Sequence, residues 1–226
     1  MLRTASWTIL AAPLGIFGLV AQTWAEAGAG LLFTYGRLLV NSLSAVALML
    51  VIVLPAIYAA AVRSNPYPLL CRCLRDSALT AFLTRSSAAN IPMNLALCRA
   101  LKLDDGLSSI AISLGAVINM PGAAVTLATL TSCAVLSAGM PMNPGTMAMI
   151  AILSAAGTAA AAGVPNGALM LAPLTAELMG VSSEAAAGMM AAGMVISVLQ
   201  DAAGTALNSM SDVWAALVLE KAAERR

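Results

Sequence analysis

The chain has 226 residues, of which 61% are hydrophobic and only 9% are charged. A soluble domain carries about 25% charged residues, so this composition indicates a membrane protein. The net charge of +1 gives no support to a nucleic-acid partner. With four cysteines and no histidine, the chain lacks the residues for Ser-His-Asp or Cys-His catalysis and for a typical zinc site. We therefore predict that the protein is not an enzyme.

Long stretches without charge predict the parts of the chain that lie in the membrane. Residues 4–25, 38–62 and 106–176 contain no Asp, Glu, Lys or Arg. As a helix rising about 1.5 Å per residue, each of the first two would cross a hydrocarbon core about 30 Å thick, and the third is too long for one crossing. Lysine and arginine gather between residues 63 and 102 and again from residue 221 on. By the positive-inside rule, those segments and the C-terminus are cytoplasmic.

In chain order, the sequence predicts two spanning helices near residues 5–25 and 37–62 and then a hairpin at about 68–101. Both ends of the hairpin are basic, whereas its centre, TRSSAANIP at 84–92, is too polar to cross lipid as a plain helix. A segment that enters and leaves on one side is a re-entrant hairpin, which is tolerated where protein or an aqueous cavity surrounds it. We therefore predict that the polar tip faces a substrate.

The rest of the chain repeats this order with the opposite topology. A spanning helix at about 107–138 contains NMPG at 119–122, and it should break there because proline removes a backbone donor. A second re-entrant hairpin is predicted at about 145–176, with AAAAGVPNGA at 159–168 as its centre, and a final helix at about 184–219. Interrupted segments in two inverted halves are a sequence sign of a transporter binding site. The predicted fold is an all-α membrane protein with two re-entrant hairpins in an inverted repeat.

The final helix carries a polar stripe. Asp201, Thr205, Asn208 and Asp212 lie at positions i, i+4, i+7 and i+11, which a helix places on one face. An aspartate at the centre of a membrane helix costs about 2.5–3.5 kcal/mol on insertion scales, so both aspartates need partners. We interpret the stripe as one wall of a binding site. The alternative is a helix end at which the aspartates, Asp212 above all, reach water.

Three motifs resemble those of the dicarboxylate/amino acid:cation symporter family. They are RSSAANIPMNLALC, LGAVINMPGAA and VLQDAAGTALNSMSDV, which stand in the order and spacing of that family. The likeness is strongest to its bacterial sodium/serine-threonine transporters. It implies an elevator transporter in the bacterial inner membrane, a homotrimer when its scaffold is complete, that carries a small neutral amino acid such as serine or threonine with sodium.

The resemblance starts at what corresponds to the fifth helix of an eight-helix family. It implies that residues 1–62 form two scaffold or linking helices and that residues 63–226 form the transport domain. We therefore expect a shortened member of the family. A fragment that does not transport, and a proton-coupled carrier or channel, are the alternative functions.

The resemblance also implies a role for individual residues. Asp201 would bind the substrate ammonium group, and the second hairpin tip would act as the outer gate. The residues that would contact the substrate are Arg85, Ser86, Ser87, Ala123, Val164, Gly167, Asp201, Thr205 and Asn208. The sodium ligands would be Gly115, Asn119, Asn208 and Asp212. Gly204 stands where acidic-substrate members carry an arginine, so the resemblance implies a neutral substrate and a pocket with no fixed cation for a second carboxylate.

Overall fold

The computed structural model describes residues 30–161 and 166–224, and within them every regular element is helical. The predicted all-α class is confirmed for these residues, while the helix predicted near 5–25 lies outside them. The α-helices are α1 (Gly30–Leu48), α2 (Leu54–Val62), α3 (Tyr67–Cys73), α4 (Leu79–Thr84), α5 (Ile91–Ala100), α6 (Asp105–Ile118), α7 (Pro121–Ser137), α8 (Pro144–Ala160), α9 (Gly167–Met170), α10 (Ala172–Leu178) and α11 (Ser183–Ala223). Two π-helical turns, Met49–Val53 and Leu74–Ala78, join α1 to α2 and α3 to α4.

Three helical segments are long and apolar enough to cross a membrane. They are Phe33–Val62, Asp105–Ser137 and Ser183–Ala223, with 30, 33 and 41 residues. They coincide with three of the spanning helices predicted from the sequence. Large apolar side chains such as Ile110 and Val198 are exposed on them. Exposed apolar side chains on helices of this length suit contact with a lipid bilayer.

The first predicted hairpin has helical arms. α3 and α4 form one arm, α5 forms the other, and the chain reverses through residues 85–90. Arg85 ends α4 in the left-handed conformation, with a φ of 52°. The hydroxyl oxygen of Ser86 accepts a hydrogen bond from the Ala89 N–H at 3.2 Å. The polar residues of the TRSSAANIP segment therefore build the turn itself.

The predicted break in the membrane helix lies between α6 and α7. Asn119 and Met120 have non-helical backbone angles, and Pro121 begins α7. Such a break leaves carbonyls at the end of α6 and N–H groups at the start of α7 without helical partners. One of these donors is satisfied by the final helix, because the Asn208 Oδ1 accepts a hydrogen bond from the Gly122 N–H at 2.7 Å.

Helices α8, α9 and α10 outline the second predicted hairpin. Residues 162–165 at its turn lie outside the described part of the chain, and Asn166 follows in the left-handed conformation with a φ of 62°. A buried hydrogen bond of 2.7 Å joins the hydroxyl groups of Thr131 on α7 and Thr175 on α10. This bond fixes the second hairpin to the broken helix.

The long helix α11 is the centre of the fold. It packs against α1, α4, α6, α7 and α10. Its apolar side chains Met210, Val213 and Trp214 are buried together with Ile112 of α6. The Trp214 ring also meets Tyr58 of α2 edge to face, at a centroid distance of 5.2 Å. Since α11 contacts both hairpins and the broken helix, it sets their relative positions.

A wholly buried polar cluster fixes the first hairpin to α11. The Asn90 Nδ2 donates to the Ser209 Oγ at 2.6 Å, and the Asn94 Nδ2 donates to the Ser209 carbonyl oxygen at 2.9 Å. The Ser77 hydroxyl donates to the Asn94 Oδ1 at 2.6 Å. Buried polar groups of this kind are costly to leave unpaired, so the cluster specifies one position of the hairpin turn.

Helices α7 and α11 cross at two glycines, and the two positions tolerate a side chain very differently. A Cβ atom on Gly122 would overlap the backbone of Gly204, whereas a Cβ atom on Gly204 would stay 3.3 Å from the Gly122 carbonyl group. We expect Gly122→Ala to lower the melting temperature of the purified chain, with a cost of about 1–3 kcal/mol from overpacking. Gly204→Ala is the control at the same crossing, because its Cβ atom would require a shift of only a few tenths of an ångström. Equal melting temperatures of the two variants would contradict this crossing.

Candidate functional site

A cavity lies where the two hairpin turns, the broken helix and α11 meet. Among its lining residues are seven of those that the sequence resemblance assigned to the substrate: Arg85, Ser87, Ala123, Gly167, Asp201, Thr205 and Asn208. The side chain of Ser86 takes part in the hairpin turn instead, and Val164 lies outside the described residues. Three residues of the predicted stripe thus share one cavity.

A charged network joins the two hairpin turns to α11 inside the cavity. The Arg85 Nε donates to the Asp201 Oδ2 at 2.9 Å, and the Arg85 Nη2 donates to the Asn166 Oδ1 at 3.0 Å. The Asn166 backbone N–H donates to the other carboxylate oxygen of Asp201 at 3.3 Å. The Arg85 and Asp201 side chains are 24% and 22% exposed, so the pair is only weakly screened by solvent.

Arg85 supplies the positive charge of the cavity wall. Gly204 also lines the cavity, and the Arg85 guanidinium, which the resemblance assigned to the substrate, reaches it from the first hairpin turn. Arg85 and Asp201 are the charged residues among the described residues that line the cavity. The charges of the cavity wall are therefore balanced.

No individual role is predicted from the sequence for four polar residues of the cavity wall. They are Ser42, Thr126, Asn166 and Gln200. For Ser42 and Thr126 the available signal is a polar side chain within a charge-free membrane helix, whereas Asn166 and Gln200 lie in the segments AAAAGVPNGA and VLQDAAGTALNSMSDV. Ser42 lies on α1, so a helix assigned to the first predicted unit also contributes to the wall of the cavity.

A second polar group surrounds Asp212 on α11. The Asn119 Nδ2 donates to the Asp212 Oδ1 at 2.8 Å and to the Ser211 Oγ at 2.9 Å. Gly115 lies so close that a Cβ atom at that position would be 2.5 Å from the Asp212 Oδ1. The structure therefore brings together Gly115, Asn119 and Asp212, three of the four residues that the resemblance assigned to sodium.

The fourth of these residues, Asn208, uses its side chain elsewhere. Its Oδ1 accepts the hydrogen bond from the Gly122 N–H, and its backbone carbonyl accepts one from the Ser211 hydroxyl at 2.7 Å. Asn208 lies within α11, so its backbone oxygen also takes part in the helical hydrogen-bond ladder, and the Ser211 hydroxyl occupies the lone pair that a cation would need. The side chain of Asn208 belongs to the cap of α7 and to the cavity wall.

Asp212 is a buried carboxylate without a cationic partner among the described residues. It is 1% exposed, its Oδ2 accepts no hydrogen bond, and it takes part in none of the ion pairs within residues 30–161 and 166–224. An uncompensated buried charge is expensive, so this site suits a cation. Carboxylate and carbonyl oxygens at a broken helix are the donors that bind sodium in transporters. The described residues hold no group of three or more His, Cys, Asp or Glu side chains suited to a metal ion.

The hairpins, the broken helix and the two polar groups are features of a membrane transporter. The family model of the sodium:dicarboxylate symporters matches residues 1–222. That range leaves only the last four residues of the chain unmatched. The chain therefore belongs to the sodium:dicarboxylate symporter family, whose members are transporters and not enzymes.

Proposed function

We propose that this protein is a sodium-coupled symporter of small neutral amino acids, serine or threonine, in the bacterial cytoplasmic membrane. The observation that carries the proposal is the ion pair of Arg85 and Asp201 in the cavity wall. Residues 63–226 form the transport domain, which moves as an elevator in a homotrimer, with the two hairpins re-entering from opposite faces. The second hairpin turn, with Val164 and Gly167, is the outer gate.

The ion pair matches a zwitterion. An amino acid at neutral pH carries one ammonium and one carboxylate group, which can bind to Asp201 and to Arg85 respectively. Asp201 then exchanges the Arg85 guanidinium for the substrate ammonium group, and Arg85 exchanges the Asp201 carboxylate for the substrate carboxylate. Each side chain therefore keeps a partner of opposite charge. Ser87, which is 4% exposed, and Asn208 line the same cavity, and in this proposal they contact the substrate carboxylate together with Arg85.

A substrate with two carboxylates fits this cavity less well. A dicarboxylate has no cationic group for Asp201 and brings two negative charges to a wall that holds one arginine and one aspartate. An acidic amino acid satisfies Asp201 but leaves its second carboxylate without a cation, which costs several kcal/mol in a desolvated site. The charge balance of the wall therefore supports a neutral amino acid.

Sodium is the co-transported ion in this proposal. Asp212 supplies the negative charge, Asn119 lies beside it, and the backbone carbonyls of Gly115 and Asn208 add oxygen ligands once the Ser211 hydroxyl turns away from the Asn208 carbonyl. Asn208 also lines the substrate cavity, one helical turn from Asp212 along α11. An ion at Asp212 would hold the broken helix against α11 and so shape the substrate site, which is a physical basis for coupling.

Serine is expected to raise the melting temperature of the purified, monodisperse 226-residue chain in sodium but not in potassium. A ligand that binds only the folded state at 100 times its Kd stabilises it by about 2.7 kcal/mol. Threonine should act like serine, whereas aspartate and succinate should have no effect. Melting curves in sodium and in potassium at equal ionic strength measure this.

Other outcomes assign other functions. A shift with aspartate or succinate would indicate an acidic substrate and contradict the charge argument. A serine shift that is the same in both cations and varies with pH would favour proton coupling. Uptake of labelled serine into proteoliposomes, driven by an inward sodium gradient, then tests transport itself.

A further inference from the structure

Gln200 and Thr126 lie side by side in the cavity wall. Gln200 precedes Asp201 on α11 and is 1% exposed, and its Nε2 donates a hydrogen bond to the Thr126 Oγ1 at 2.9 Å. Both residues line the cavity that holds Arg85 and Asp201. A neutral polar pair therefore stands next to the proposed binding site of the substrate ammonium group.

The hydrogen bonds fix which end of the Gln200 amide faces Thr126. The hydroxyl group of Thr126 has a single proton, which it donates to the Gly122 carbonyl oxygen at 3.0 Å. Towards Gln200 the Thr126 oxygen can then only accept, so it must face the amide nitrogen. The Gln200 Oε1 is consequently turned away from Thr126.

This carbonyl oxygen has no hydrogen-bond partner although it is buried. Most buried acceptors have a partner, and an unpaired one destabilises the folded protein. A donor that enters the cavity would remove that cost. The free oxygen therefore selects for a ligand that carries an N–H or O–H group at this point.

We propose that the Gln200 Oε1 accepts a hydrogen bond from the side-chain hydroxyl of the substrate, so that Gln200 determines the preference for serine and threonine over alanine. This inference rests on the proposed function. Gln200 and Asp201 line the same cavity, so the side chain of an amino acid whose ammonium group binds to Asp201 shares that space with Gln200. The hydroxyl of serine or threonine pairs with Oε1, whereas the methyl group of alanine leaves it unpaired.

The same oxygen works against acidic side chains. A carboxylate is an acceptor without a proton to donate, so a second carboxylate beside the Gln200 Oε1 would bring two acceptors together. Sites built to hydrogen-bond a hydroxyl discriminate much better than apolar pockets, because the missing group leaves a buried partner unsatisfied. Gln200 thus narrows the substrate class to amino acids with a hydroxyl group.

The test compares serine with alanine on the unsubstituted chain and on Gln200→Met, which keeps a side chain of similar length without a polar end. In sodium, the unsubstituted chain should bind serine about tenfold more tightly than alanine, a difference of about 1.4 kcal/mol. In Gln200→Met, the affinity for serine should fall to about the affinity for alanine, and the affinity for alanine should change less. Calorimetric titration or melting shifts over a range of concentrations give both values.

Thr126→Val is the second variant. It removes the group that orients the amide but keeps the free oxygen, so it should reduce the serine preference by less than Gln200→Met does. An unchanged serine preference in Gln200→Met, or equal binding of serine and alanine by the unsubstituted chain, would overturn the role of Gln200. Failure of the unsubstituted chain to bind either amino acid would overturn the proposed function and this inference together.

Discussion

Asp201→Asn is expected to abolish the binding of serine. The substituted cavity would keep the Arg85 guanidinium but lose the carboxylate that balances it, so its wall would repel the substrate ammonium group. Two unit charges 4 Å apart interact with about 4 kcal/mol at an effective dielectric constant of 20. A loss of that size corresponds to a decrease in affinity of about 1,000-fold. Calorimetric titration with serine in sodium measures it.

Asp76→Asn is the matched control for this change. Asp76 is also an aspartate paired with arginine, but it lies on the first hairpin arm, pairs with Arg75 at 3.0 Å, and does not line the cavity. Its replacement should leave serine affinity as it is in the unsubstituted chain. Serine affinity that is unchanged in Asp201→Asn would show that the ammonium group binds elsewhere.

The Asp201→Asn variant also tests the charge balance of the cavity. Without Asp201, Arg85 is the one charged residue left among the described residues of the cavity wall. A dianion such as succinate should therefore stabilise the Asp201→Asn variant more than it stabilises the unsubstituted chain. If succinate has no effect on either chain, Arg85 does not bind a substrate carboxylate in the way proposed.

The sequence predicts the helical segments because the signals for them are local. Proline removes a backbone donor wherever it stands, so NMPG at 119–122 indicates the break between α6 and α7 without knowledge of the fold. The polar centre of the first hairpin, TRSSAANIP, similarly indicates a turn. The spacing of Asp201, Thr205 and Asn208 places them on one helix face, and all three line the same cavity.

The partners of these side chains depend on contacts between distant segments. Arg85 and Asp201 are separated by 116 positions, and Thr126 and Gln200 by 74. Their pairing requires the close crossing of α7 and α11 at Gly122 and the approach of the first hairpin turn to α11. Glycines are frequent in this chain, so no local pattern marks that crossing. The sequence therefore indicates which residues are polar within the membrane but not which of them form pairs.

Asp212→Asn is expected to remove the effect of sodium on stability and on serine binding. In potassium, the unsubstituted chain must bury the Asp212 carboxylate, which is 1% exposed, without a cationic partner among the described residues. Asparagine has nearly the same shape and no charge, so the variant should melt at a higher temperature than the unsubstituted chain in potassium. The direction of this change follows from the high cost of burying a charge that has no partner. Melting curves in sodium and potassium, at one pH and ionic strength, measure both effects.

Asp105→Asn provides the control for this experiment, because Asp105 begins the spanning segment that carries Asn119 but is 76% exposed and pairs with Arg99 at the surface. Its replacement should leave the stabilisation by sodium intact. Stabilisation by sodium that persists in Asp212→Asn would mean that the ion binds elsewhere. The unsubstituted chain could instead have the same melting temperature in sodium and potassium and become more stable as the pH falls. In that case Asp212 is neutralised by a proton, and the coupled ion of this transporter is H⁺. Asn119, which donates to one oxygen of Asp212, would then hold a carboxylic acid whose other oxygen carries the proton.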